Sequence, residues 1–201
     1  MKRATDFLME EHNAIERMMK ILSLIADRME KRNRVAEDIL EQSLDFIMNF
    51  ADKCHHIKEE KSLFPLMERR GIPSESGPIG QMLVDHTLGR RHTVELASGI
   101  DRYKKGDPAA AEKVVKSIRD YVNLLRDHIY RENNILYPMF DRLLNLEDQN
   151  DLIEEFERIE AETGQGMHEK YLSILEYLEK RLNAEGSPEF VHKENEGDHV
   201  Y

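Results

Sequence analysis

The sequence predicts an all-α protein: an up-down-up-down four-helix bundle with an additional C-terminal helical segment. Three observations predict it. Long stretches carry apolar residues at intervals of three and four, the period of a helix with one buried face. Glycine and proline are few, 10 and 6 in 201 residues, and gather mainly between those stretches. The connections they mark are short, which favours antiparallel neighbours.

The first helix is expected over residues 4–31, with Leu8, Ile15, Met18, Met19, Leu22, Ile25 and Met29 on one face. The second is expected over 35–70 and ends where Gly71, Pro73 and Gly77-Pro78 mark a loop. Pro65 must kink or tighten it, because proline lacks an N–H and clashes with the preceding turn. The third runs over 78–105. Gly106 suits its C-terminus, Asp107 the next N-cap and Pro108 the first turn of a fourth helix, which continues to about residue 145 and carries a late Pro138. A fifth segment, 146–183, is interrupted at Gly164-Gln165-Gly166. Residues 1–145 are thus read as the bundle, 146–185 as a helical segment packed on it, and 186–201 as a disordered polar tail.

A chain of this length can bury a core without a metal staple, so any metal would serve chemistry more than folding. The net charge of −11 argues against a nucleic-acid partner. The single cysteine, Cys54, excludes an internal disulfide and fits a reducing compartment. No apolar run approaches the roughly 20 residues needed to span a bilayer, and no signal-peptide core is visible. The expectation is a cytoplasmic protein with no membrane partner.

The second and fourth helices share a repeat. One copy reads His55-His56-Ile57-Lys58-Glu59-Glu60-Lys61-Ser62-Leu63-Phe64-Pro65, the other His128-Ile129-Tyr130-Arg131-Glu132-Asn133-Asn134-Ile135-Leu136-Tyr137-Pro138. Both are His-x3-Glu-x3-Leu-aromatic-Pro. A spacing of four sets His and Glu on one face, one turn apart. The apolar stripe Leu40, Leu44, Ile47, Ala51 continues to His55, Glu59 and Leu63, so His55 and Glu59 are expected inward. His56 and Glu60 align with Asp45, Asn49 and Asp52 and are expected to face water.

In the fourth helix the stripe runs Val114, Ile118, Tyr121, Leu125, His128, Glu132, Leu136. The first helix places His12 between Leu8 and Ile15, and the third places His86 after Ile79 and Met82. Each helix therefore turns one histidine to the core, and two add a glutamate. A buried ionised carboxylate is costly alone, and a shared cation removes that cost. Imidazole with carboxylate and no thiolate suits iron, manganese or zinc. Two carboxylates that each bridge, with two histidines per ion, leave positions open for an exogenous ligand. Ferritin-like bundles use Glu-x-x-His instead, with the opposite order and another spacing.

These residues resemble the haemerythrin-like, or HHE cation-binding, family. The resemblance rests on Glu11-His12-Asn13-Ala14-Ile15, the two repeats, and Asp85-His86-Thr87-Leu88-Gly89-Arg90. It implies a four-helix bundle around two non-haem iron ions joined by an oxo or hydroxo bridge, with zinc or manganese as substitutes. Glu59 and Glu132 would bridge; His12, His55, His86 and His128 would be terminal ligands. It implies a protein that binds or senses O2 or a related diatomic such as NO. The alternatives are reduction of NO or peroxide, or iron donation to damaged iron centres. Oxygen carriers of the family have a second histidine on the third helix, where this chain has Arg90, and an aspartate in place of Glu132.

The remaining candidates have plainer readings. His92 is expected at the surface, and Arg90 in a surface salt bridge. Tyr130, Tyr137 and Cys54 are expected to pack, and His168 to pack or cap at the break in the fifth segment.

Overall fold

The computed structural model describes residues 2–32, 34–164 and 166–184. The tail expected to be disordered, 186–201, lies outside them, as does Gln165. The described residues form helices and no strand. None of these helices is long and apolar enough to cross a membrane.

Helix α1 is Ala4–Glu30. Its first turn is held by Asp6, whose carboxylate accepts the Arg3 backbone N–H at 2.7 Å. Helix α2 occupies residues 37–69 and is not uniform. It starts as an α-helix over Glu37–Asp45, opens into π turns over Phe46–His56 and Glu59–Leu63, and closes as α over Phe64–Arg69. Helix α3 is Gly77–Lys104. Helix α4, residues 110–141, runs as α over Ala110–Arg131, opens at Glu132–Leu136 and ends over Tyr137–Asp141. Helices α5, Leu146–Thr163, and α6, Met167–Ala184, divide the fifth predicted segment at Gly164.

The prolines explain the π turns at Glu59–Leu63 and Glu132–Leu136. Pro65 and Pro138 have no N–H to give, and each ring crowds the carbonyl four residues back. The turn ahead of each opens to i→i−5 bonding: Phe64 N–H reaches Glu59 O, and Tyr137 N–H reaches Glu132 O. The aromatic-proline step thus widens each helix at its core glutamate.

Contacts at both ends of each pair make neighbouring helices antiparallel. Thr5 meets Asp141 and Asp27 meets Arg119 between α1 and α4. Asp85 meets Arg131, and Gly99 lies against Val114, between α3 and α4. Glu60 meets Arg90, and Val35 just ahead of α2 meets Tyr103, between α2 and α3. The junction after α3 is a glycine cap: Gly106 has φ +78°, its N–H bonds Tyr103 O at 3.0 Å, and Asp107 N–H bonds Arg102 O at 3.1 Å.

Asn145 caps α5 by accepting the Asp148 N–H at 3.0 Å. Arg70 holds Asp148 at 2.6 Å, and Gln149 accepts the Ala4 N–H at 2.8 Å, which closes α5 over one end of the bundle. Helix α6 lies along α1 and α2. It buries Tyr171, Leu175, Leu178 and Leu182 and pairs Glu179 with Arg17 at 2.8 Å.

The apolar core is two clusters. One joins Ile15 through Met29, Phe46 through Ala51, Leu96, Ile100, Val114 through Ile129 and the buried leucines of α6. The other joins Leu8, Leu63 through Met67, Ile79, Met82, Leu136 through Phe140, Leu152 and Phe156. On α1, α2 and α3 the buried polar residues (Glu11 and His12; His55 to Glu59; Asp85 and His86) fall between the two, and on α4 Glu132 does.

Candidate metal centre

Within that polar layer the structure brings together all six residues expected to face inward. His12, His55, Glu59, His86, His128 and Glu132 are each no more than 1 % exposed. His12 Nε2 lies 2.9 Å from His55 Nε2 and 3.1 Å from Glu132 Oε2. His128 Nε2 lies 3.2 Å from Glu132 Oε1, and His86 Nε2 lies 3.3 Å from Glu59 Oε2. Glu132 therefore spans two groups, one oxygen toward each. Glu59 behaves differently. Its Oε2 faces His86 and also His55 at 3.8 Å, while its Oε1 accepts the Tyr137 hydroxyl at 2.7 Å.

Each Nδ1 is held from outside the cluster. His12 Nδ1 donates to Asn133 Oδ1 at 2.7 Å, and His55 Nδ1 to Glu11 Oε2 at 2.9 Å. His86 Nδ1 donates to Glu60 Oε1 at 2.7 Å, and His128 Nδ1 to Asp85 Oδ2 at 3.4 Å. Every holder is the sequence neighbour of an inward residue on another helix. So α1 orients the histidine of α2, α2 that of α3, α3 that of α4, and α4 that of α1. In the neutral ring such bonds fix the tautomer and leave Nε2 as a lone pair aimed inward.

The atoms left facing one another suit a cation. His12 Nε2 and His55 Nε2, 2.9 Å apart, are held together by a proton between them or by a metal ion in its place. Glu59 Oε2, His86 Nε2, His128 Nε2 and both Glu132 oxygens are buried without a hydrogen-bond partner of sound geometry among the described residues. Adjacent donors about 2.1 Å from one ion sit about 3.0 Å apart, close to the 2.9–3.3 Å separations between these atoms. Two groups of potential ligands result: His12, His55 and Glu132, and His56, Glu59, His86 and His128.

A family model described as the hemerythrin HHE cation binding domain matches residues 3–140. The chain belongs to this family. Three curated proteins, one from Mycobacterium bovis and two from strains of Mycobacterium tuberculosis, are each 22 % identical to it over 154 residues, and each is described as uncharacterized. That stretch is 77 % of this chain and 60 % of each relative. No solved structure matches.

In this haemerythrin-like chain the expectations for His56, Glu60 and His92 need correction. His56 does not face water: it is 5 % exposed and stacks on His86, with ring centroids 4.0 Å apart and planes at 19°. The π turn explains this. Ile57 N–H bonds Asp52 O, five residues back, so the ring holds one residue more than an α turn and His55 and His56 both reach the interior. Glu60 is half-buried rather than solvent-facing, accepting from both His86 and Arg90. His92, expected at the surface, is also half-buried, 3.5 Å from Glu95.

Arg90 does form a salt bridge, with Asp52 and Glu60, each at 2.8 Å. Those carboxylates hold His56 and His86, so the pair also supports the polar layer. The outer partners Glu11, Asp52, Glu60, Asp85 and Asn133 were not legible as a set, because each belongs to a histidine on a different turn or helix. The one available signal was an acidic residue directly before His12 and before His86.

The charges follow from this packing. Burial works against an imidazolium at His128, but Glu132 and Asp85 outweigh it and push His128 up to about 10. Burial likewise opposes charge on His12 and His86, and Glu132 and Glu59 respectively raise them all the same. Burial, reinforced by His86, takes His56 down to about 3.

A second network backs His55. Glu11 and Glu160 both pair with the buried ammonium of Lys58. His168 Nε2 lies 3.0 Å from Glu11 Oε1 and 3.1 Å from Glu160 Oε1, and the Cys54 thiol, Glu11 and Glu160 hold its imidazolium up at about 11. Helices α5 and α6 thus reach the polar layer through Glu160 and His168. Lys58 already supplies the positive charge these carboxylates need.

Proposed function

We propose that the chain holds two non-haem iron ions between its four bundle helices, through His12, His55, Glu59, His86, His128 and Glu132, and binds or senses O2 or a related diatomic there. The observation that carries this reading is Glu132, buried with both oxygens unpartnered and one turned to each histidine pair. A single ion would use one side of that carboxylate; two ions use both. Imidazole and carboxylate donors favour iron over the thiolate-loving metals. Iron held by these residues would supply the electrons for reversible capture of a diatomic.

The chain's own part is to hold and to shield. The outer bonds keep each Nε2 free and aimed, and the two apolar clusters keep bulk water from the layer. The Tyr137 hydroxyl, fully buried on Glu59, is a donor inside the layer. That donor favours a second reading, reduction of NO or peroxide, which consumes protons.

The test is metal analysis of protein purified without added metal, then Fe(II) loading of apoprotein and exposure to O2. About two irons per chain and a visible charge-transfer band that vanishes on removal of O2 support reversible binding. Irreversible oxidation, with consumption of NO or H2O2 by the reduced protein, supports the second reading. One iron per chain refutes both.

A further inference from the structure

We propose that Glu11, Cys54, Glu160 and His168 form a second metal site, outside the layer between the bundle helices, which takes one zinc-class divalent cation and ties α5 and α6 to α1 and α2.

The donors come from four helices: Glu11 from α1, Cys54 from α2, Glu160 from α5 and His168 from α6. One ligand atom of each lies within 4.8 Å of the others. His168 Nε2 stands 3.0 Å from Glu11 Oε1 and 3.1 Å from Glu160 Oε1. Nitrogen and oxygen donors about 2.0 Å from a tetrahedral zinc stand about 3.3 Å apart, so these contacts already have nearly the spacing of ligands.

Glu160 and His168 lie beyond residues 3–140, the stretch that the family model matches. They meet because the helix breaks between them. In one continuous helix, residues eight apart stand about 12 Å apart along the axis. Here Gly164 and Gly166, with φ +134° and +75°, turn the chain and bring the two side chains into contact.

Donor chemistry and charge select the ion. A thiolate beside imidazole and carboxylate suits zinc, and four protein ligands make a closed, structural site. Without an ion, Glu11 and Glu160 are balanced by the Lys58 ammonium and the His168 imidazolium. A dication takes the place of two protons, the one on His168 Nε2 and the one on the Cys54 thiol. The net charge of the cluster is then unchanged, and the ion does not compete with Lys58.

The ion has a way in. Cys54 and Glu11 are buried, but the His168 and Glu160 side chains are each 37 % exposed. Together with Glu11 they line a cleft of about 570 Å³ between α1, α5 and α6. Its walls carry Glu10, Glu157 and Glu169 as well, against Lys2 and His168, a balance that draws cations.

The experiment is titration of the reduced, metal-free full chain with Co(II), followed by absorption. Cys54 is the chain's one cysteine, so a near-ultraviolet sulfur-to-cobalt charge-transfer band reports this site alone. The proposal expects that band to saturate with one equivalent of cobalt, to vanish in Cys54→Ser and to be abolished when Zn(II) displaces the cobalt. In His168→Ala its midpoint should shift to higher cobalt by roughly tenfold or more, since even the loss of an outer partner costs that much. Cobalt bound without the band overturns the proposal and leaves the two-ion reading intact. A band that zinc does not displace, or one with the same midpoint in His168→Ala, overturns it too. A saturated band with no further cobalt taken up would sink the two-ion reading and leave this site standing, and no bound cobalt at all would sink both. The wild-type spectrum decides even where a variant folds poorly.

Discussion

Glu11 Oε2 accepts the Nδ1–H of His55 at 2.9 Å, from a helix turn that also carries His12. The same carboxylate is the partner of Lys58, 1 % exposed, and of His168 on α6. One buried side chain therefore orients a candidate ligand, neutralises a buried cation and anchors the C-terminal helix.

Glu11→Gln should be costly on two counts. Breaking a buried ion pair costs about 3–5 kcal/mol, and the lower end applies because Glu160 still faces Lys58. Loss of an outer partner should also weaken metal affinity by roughly 10- to 100-fold. Urea denaturation of apoprotein reads the first effect, and competition with a chelator the second. Unchanged stability would mean that Lys58 has found another partner.

Tyr137→Phe isolates Glu59. The hydroxyl makes a 2.7 Å bond to Glu59 Oε1 in a site closed to solvent. Removing a bond to a charged group and leaving that oxygen unpaired should cost the apoprotein about 2 kcal/mol. In the metal-loaded protein an ion can use the freed oxygen, so the cost should shrink. Thermal melts of both forms test this; equal losses would place Glu59 outside the metal's reach.

Most of this fold could be read from the chain. Apolar spacing located every helix, and Gly106-Asp107-Pro108 marked the turn between α3 and α4 because a left-handed glycine, a capping carboxylate and a first-turn proline each have one physical use there. The six inward residues were legible because apolar stripes assign a face. His56 was not, since the stripe argument assumes one constant period, and the π run over Phe46–His56 changes that period where the histidines lie. Prolines at 65 and 138 hinted at widened turns, yet nothing local announces the longer run upstream. Lys58 and His168 were also illegible, because their partners come from α1 and α5.

Metal uptake should strengthen with pH. With His128 up at about 10, its imidazole holds a proton at neutral pH when no metal competes, and the carboxylates that raise His12 and His86 favour protonation there as well. Binding must release those protons, so affinity should rise roughly tenfold per pH unit for each proton displaced. The sign for stability follows from the same shifts. A raised histidine stabilises fully below its unfolded value, near 6.5, and the contribution is lost as pH rises through about 10. Apoprotein should therefore lose stability from pH 7 toward 10, while the loaded protein should not. Proton release in weakly buffered solution with an indicator dye, and melts across that range, check both. Release of no protons on metal binding at pH 7 would contradict it.

Two glycines of α3 should respond oppositely to alanine. Both lie inside Gly77–Lys104 and are buried, and neither has a positive φ. In a helix interior alanine is favoured over glycine by about 1 kcal/mol when the space is free. At Gly89 an added Cβ would meet Tyr121 and Leu124 at 3.8 and 3.9 Å, ordinary contact, so Gly89→Ala should stabilise by about 0.5–1 kcal/mol. At Gly99 it would meet Val114 Cγ2 at 3.0 Å and the Val114 backbone N at 3.4 Å. Val114 is fully buried near the start of α4, and its backbone cannot yield without parting the α3–α4 contact. Overpacking of that kind costs about 1–3 kcal/mol, enough to cancel or reverse the propensity gain. Gly99→Ala should therefore be neutral to destabilising by about 2 kcal/mol, with a lower melting temperature than Gly89→Ala in the same apoprotein. If both alanines stabilise equally, α3 and α4 do not pack as closely at this end as the Gly99–Val114 approach requires.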